Sequence, residues 1–162
     1  MPNYDRPFAD RQNVREGWLA LNGAIKANMD LRRYELATFA AAQRLRSSYC
    51  SLAHGAALEE LGESALDVAT RRETLDEVDL AVVELAERVV DDPTAIEDAD
   101  LQHLRDLGLS EAEIADVVFA AAARCFFSKT LDALGVRPDA HYRELDPELR
   151  AALVVGRPIA DS

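Results

Sequence analysis

The sequence predicts an all-α protein, a helical bundle in one domain spanning residues 1–162, on three observations. Apolar residues recur every three or four positions through most of the chain, and no stretch alternates apolar with polar as a half-buried strand would. Capping residues and glycines bracket those periodic segments as start and stop signals. The stretch from Glu111 to Leu134 is apolar around most of its circumference, which fits a helix enclosed by other helices or by a subunit interface.

Taken in order, Val14, Trp18, Leu21 and Ile25 place a first helix over Gln12 to Asn28. Asp30 caps a second, Leu31 to about Arg46, with Glu35 at the core boundary. Ser47 and Ser48 offer hydroxyl oxygens to the free amides of a third, Tyr49 to Leu61, stopped by Gly62. A short helix over Glu63 to Arg72 follows, and then one from Leu75 to Val90 behind a capping box at Thr74 and Glu77.

Asp91-Asp92-Pro93 breaks the pattern, Asp100 to Leu107 forms a short helix closed by Gly108, and a capping box at Ser110 and Glu113 opens the long apolar one. The acids from Asp91 to Asp100 lack the spacing of a calcium loop and are read as solvated. Beyond Gly135 a tail of about residues 136–162 is punctuated by Pro138, Pro147 and Pro158. Its segment Leu149 to Val155 is too apolar to stay in water, so the tail is expected to dock, with a neighbouring subunit as one candidate surface.

Composition narrows the function classes. Eighteen Lys and Arg against thirty Asp and Glu give a formal charge of −12, which repels nucleic-acid phosphates and anionic membrane surfaces. The longest apolar run, Val117 to Ala123, is too short to span a bilayer, and the chain begins without a basic-then-apolar segment, so a cytoplasmic location is expected. The two cysteines, Cys50 and Cys125, are too few for a secreted disulfide framework.

The stretch that carries chemistry is Ser47-Ser48-Tyr49-Cys50-Ser51-Leu52-Ala53-His54. Cys50 and His54, four apart, share one helical face. A thiol attacks only as thiolate, and the free amides of a helix's first turn favour that anion. His54 is placed to accept the thiol proton, and Glu35 to orient the ring and fix its tautomer. Ser47 is positioned to donate to the sulfur, and Tyr49 is a secondary ligand-binding candidate.

Zinc at Cys50, His54 and Glu35 would have only three ligands and no paired motif, so no metal and no cofactor are assigned. His103 and His141 lack a partner pattern and are expected to be exposed, as are Arg44 and Arg46. Cys125 is read as a core residue.

The spacing of Glu35, eleven residues, Ser47, two residues, Cys50, three residues and His54 resembles the signature of the alkylhydroperoxidase D-like, or carboxymuconolactone decarboxylase, family, in which the Ser47 position is a first cysteine. Residues 107–114 and 126–135 look like downstream helices of its peroxidase-related branch. The resemblance implies a thiol-dependent antioxidant enzyme that reduces a small-molecule hydroperoxide. In it Cys50 is the nucleophile, His54 and Glu35 relay the proton, and the assembly is a homo-oligomer, a trimer or hexamer.

Because Ser47 cannot close a disulfide, turnover would need an external thiol reductant that the sequence does not name. Two alternatives stay open. One is proton-transfer chemistry like that of the decarboxylase branch, with Cys50 dispensable. The other is a non-catalytic oligomer acting as a sensor or binding protein.

Overall fold

The computed structural model describes residues 2–161. Among them are eight α-helices, three short 3-10 turns and no strand. The helices are α1 (Gln12–Asn28), α2 (Leu31–Arg44), α3 (Ser48–Glu60), α4 (Ala65–Thr70), α5 (Glu77–Asp91), α6 (Asp98–Asp106), α7 (Glu111–Ala133) and α8 (Pro147–Leu153).

The helix enclosed on all sides is α2, which packs against α3, α5 and α7 and buries every residue from Tyr34 to Ala42. Its alanines at 37, 40, 41 and 42 let three neighbours approach closely, while Leu36 and Phe39 fill the space between them. Burying each of those two large side chains stabilises the fold by about 1.5–3 kcal/mol. By contrast α7 buries one face, from Ile114 to Leu131, and leaves Phe119 and Phe126 half exposed.

Helix ends follow local chemistry. Asp30 accepts from the Arg33 amide, and Ser110 and Glu113 form the reciprocal capping box expected of them. Gly62 and Gly108 adopt left-handed φ values of 81° and 96°, and the amides that follow bond back to Leu58 and Leu104. The end of α2 has the same closure, Ser47 N to Ala42 O at 3.0 Å, but the left-handed residue is Arg46 at φ 55°. An arginine there costs about 1–2 kcal/mol of backbone strain.

Two expectations are corrected. The Thr74 capping box does not form: Thr74 donates its amide and hydroxyl to Asp67, and α5 starts two residues late, capped by Asp76. A box at Glu97 and Asp100, unforeseen, starts α6 early. The tail docks, as expected, with α8 against α3 and α4 of its own chain.

Leu153 is fully buried because Gly55 of α3 leaves room: a Cβ there would lie 2.6 Å from Leu153 Cδ1. Farther on, Gly156 passes so close to the strained turn that a Cβ on it would sit 2.0 Å from the Arg46 carbonyl oxygen. Its amide donates to Ser48 Oγ at 2.8 Å. The tail therefore braces the turn that leads into α3.

Candidate functional site

Because Ser51 N makes the first intrahelical bond of α3, to Ser47 O, the amides of Ser48, Tyr49 and Cys50 lie ahead of it at the positive end of the helix. Cys50 thus occupies the first turn, as its spacing predicts. The sulfur opens into a cavity of about 300 Å³ lined by Tyr4, Trp18, Asn22, Lys26, Tyr34, Tyr49, Cys50, Ala53, His54, Arg124, Phe127 and Tyr142. A groove of about 600 Å³ between Asn3, Arg6, Leu134 and Arg137 is larger but contains no thiol or imidazole.

One turn along α3, His54 Nδ1 donates to Glu35 Oε2 at 2.6 Å. The carboxylate can only accept, so the proton sits on Nδ1 and Nε2 keeps its lone pair. Thr38 Oγ1, donating to the Tyr34 carbonyl at 2.8 Å, lies 3.3 Å from the same ring nitrogen. Burial pushes the Glu35 carboxyl up, but hydrogen bonds and charge from His54 and Lys26 outweigh it and hold the group below its ordinary range. Lys26 Nζ is 3.2 Å from Glu35 Oε1.

Burial, reinforced by the charge of Arg124, pushes His54 down to about 4 against the upward pull of Glu35. The ring is therefore neutral near pH 7, with its Nε2 lone pair unprotonated. Glu35 is not at the core boundary but inside it, 3% exposed.

The residue that sequence reasoning missed is Arg124. It lies on the buried face of α7, 4% exposed, with Nη1 3.8 Å from Cys50 Sγ and Nη2 3.4 Å from the Tyr34 hydroxyl. Its Nε has no partner, and its guanidinium lies 5.5 Å from the Trp18 ring centroid and 5.7 Å from that of Phe127. A guanidinium fork is the side chain best shaped to meet an anion. The available signal was an arginine inside the most apolar run of the chain.

Two predicted roles are corrected. The Ser47 hydroxyl neither caps α3 nor donates to Cys50. It is fully buried, makes no hydrogen bond of good geometry, and lies near enough to Asp132 to oppose the upward push of burial on that carboxyl. Tyr49 does not offer its hydroxyl to a ligand, because the group donates to Asp139 Oδ2. Only its ring lines the cavity.

Cys125 does not line the cavity, and burial pushes its thiol up against the pull of Lys129. Tyr142, on the opposite wall, is pushed up to about 12 by burial and by Asp139. Arg44, Arg46, His103 and His141 are exposed, as expected. Among the described residues no three His, Cys, Asp or Glu side chains converge as a metal site, and no helix is long and apolar enough to cross a membrane.

No family model and no curated protein matches the chain. Among the crystal structures that share its fold are two of peroxidase-related proteins. One is the alkylhydroperoxidase AhpD core of an uncharacterized peroxidase-related protein from Ralstonia eutropha, at TM-score 0.79 and 21% identity, covering 88% of this chain and 79% of that one. The other is an uncharacterized peroxidase-related protein from a Silicibacter species, at TM-score 0.79 and 20% identity, covering 88% and 78%. The chain therefore has the all-α fold of the alkylhydroperoxidase core.

Proposed function

We propose that this chain is a thiol-dependent peroxidase that reduces small organic hydroperoxides through Cys50 and draws its electrons from an external thiol. One observation carries the reading: a single cavity joins the Cys50 sulfur to a buried guanidinium and to a carboxylate-anchored imidazole. A nucleophile, a charge to hold it ionised and an oriented base are the parts such chemistry needs.

His54 Nε2 takes the proton of the Cys50 thiol, and Arg124 balances the thiolate. The sulfur attacks the outer peroxide oxygen, an S–O bond forms as the O–O bond breaks, and the departing alkoxide takes the proton back from His54. The products are an alcohol and a Cys50 sulfenic acid. One external thiol then displaces water to give a mixed disulfide, and a second releases Cys50 and leaves as the oxidised disulfide. Ser47 supplies no thiol for an internal shortcut. We place self-association on the half-exposed apolar residues of α7, which sizing at micromolar concentration tests.

The experiment is intact-protein mass spectrometry after brief peroxide exposure with a sulfenate-trapping reagent. Rapid adduct formation at Cys50, slowed in His54→Ala and absent in Cys50→Ser, is the expected result. Adduct formation at Cys50 no faster than at Cys125 would remove the nucleophile and leave decarboxylase-like proton transfer, in which Cys50→Ser retains activity, as the better account.

A further inference from the structure

Four charged residues of this fold are buried: Glu35, Asp67, Asp79 and Arg124. Glu35 meets Lys26 and His54, Asp67 meets Arg71, and Asp79 meets Arg32. Arg124 alone faces no opposite charge among the described residues. A guanidinium cannot shed its charge, so burying it without an opposite charge costs stability that an anion would restore. The rings of Trp18 and Phe127 offset part of that cost, yet they satisfy no N–H, and the two contacts Arg124 does make are long.

The charges around the cavity point the same way. Lys26 and Arg124 bring two positive charges to its lining, and the lining holds no carboxylate, since Glu35 lies behind His54 and Asp139 behind Tyr49. The chain as a whole carries a formal charge of −12. Its volume, at about 30 Å³ per small group, admits roughly ten non-hydrogen atoms. Its walls are aromatic, with Tyr4, Trp18, Tyr34, Phe127 and Tyr142 surrounding the one buried cation.

We propose that the cavity binds a small carboxylate, held end-on by Arg124 with its carbon skeleton against the aromatic walls, so that the hydroperoxide reduced at Cys50 is itself an acid. The hydroperoxide half of this statement rests on the peroxidase reading; the carboxylate half rests on Arg124 alone. A planar carboxylate matches the fork of a guanidinium, and the aromatic walls suit the carbon skeleton behind it. Because Arg124 Nη1 lies 3.8 Å from Cys50 Sγ, a ligand that carries its peroxide next to the carboxylate keeps the reacting end near the sulfur.

Isothermal titration of the native chain and of Cys50→Ser with benzoate and with benzamide, its neutral counterpart, tests the anion. Benzoate is expected to bind both proteins about tenfold or more tighter than benzamide. In Arg124→Gln the two ligands should become equal, while Lys26→Gln should keep most of the preference. Equal affinities in the native chain, no saturable benzoate binding, or loss of the preference in Lys26→Gln instead would overturn the proposal.

The native comparison decides even if Arg124→Gln fails to fold, which circular dichroism would reveal. A second arm compares sulfenate formation at Cys50 from tert-butyl hydroperoxide and from 2-hydroperoxy-2-methylpropanoate, both small enough for the cavity. Faster reaction of the acid supports the whole statement. Tight benzoate binding without any sulfenate from either peroxide would leave the anion site standing and remove the peroxidase reading.

Discussion

Cys50 and Cys125 are the only thiols of the chain, and α7 sets them in opposite surroundings although Arg124, which faces the first, is the immediate neighbour of the second. One residue along a helix turns a side chain by about 100°. The same stretch of α7 therefore gives Cys50 a guanidinium and leaves Cys125 with burial that opposes its ionisation. The surroundings of a thiol are here a property of what crosses between helices, not of what is adjacent in the chain.

The largest effect should come from erasing that crossing. Arg124→Met is expected to slow peroxide-dependent labelling of Cys50 by roughly a hundredfold, towards the rate of Cys125, as loss of a buried charge-stabilising donor commonly does. It should at the same time leave Tm unchanged or raise it, because an unpaired buried cation gives way to an apolar group. A clear fall in Tm with labelling unchanged would show that Arg124 serves packing instead.

Next in size is Glu35→Gln, which frees the tautomer of His54 and should slow labelling of Cys50 by about tenfold to a hundredfold while Cys125 is unaffected. Time-resolved trapping of both thiols in one sample measures the ratio directly.

A third test moves away from the sulfur. Gly156→Ala drives a methyl group into the Arg46 carbonyl and should cost about 1–3 kcal/mol in denaturant unfolding, with a smaller loss of Cys50 labelling as the turn before α3 shifts. Unchanged stability would mean that the tail does not brace that turn.

The smallest effect is on pH. Folded His54 is held at about 4 against about 6.5 when unfolded, so between those values the unfolded chain binds more protons and stability rises with pH. Glu35, held low, acts in the same direction below its ordinary range. Going from about pH 7 to about pH 5 should cost on the order of 1 kcal/mol, trimmed because 14% of the His54 side chain is open to solvent. Melting curves of His54→Gln should be flatter over that interval.

How much of this could be read beforehand varies with the range of the interaction. The limits of α1, the Asp30 cap and the Ser110 box are local and emerged from periodicity and capping. Cys50 and His54 were legible as neighbours from their spacing on one helix, whereas Glu35 joined them only through the resemblance to the family signature. Thr74 misled because Asp67, seven residues back, captures both of its donors. The seat of Leu153 was invisible because Gly55 contributes by what it lacks. Arg124 was hidden by its apolar neighbours, although a charge embedded in such a run is itself unusual.

Trp18 is the only indole of the chain, and it stacks on Phe127 at 4.7 Å in the wall beside Arg124. Its emission therefore originates at a single place, next to the cation and the entrance to the sulfur. Any ligand that shields the guanidinium, or any change in its charge environment, alters the field across that ring. The protein thus carries its own unlabelled optical reporter of occupancy, readable in solution without a coupled assay.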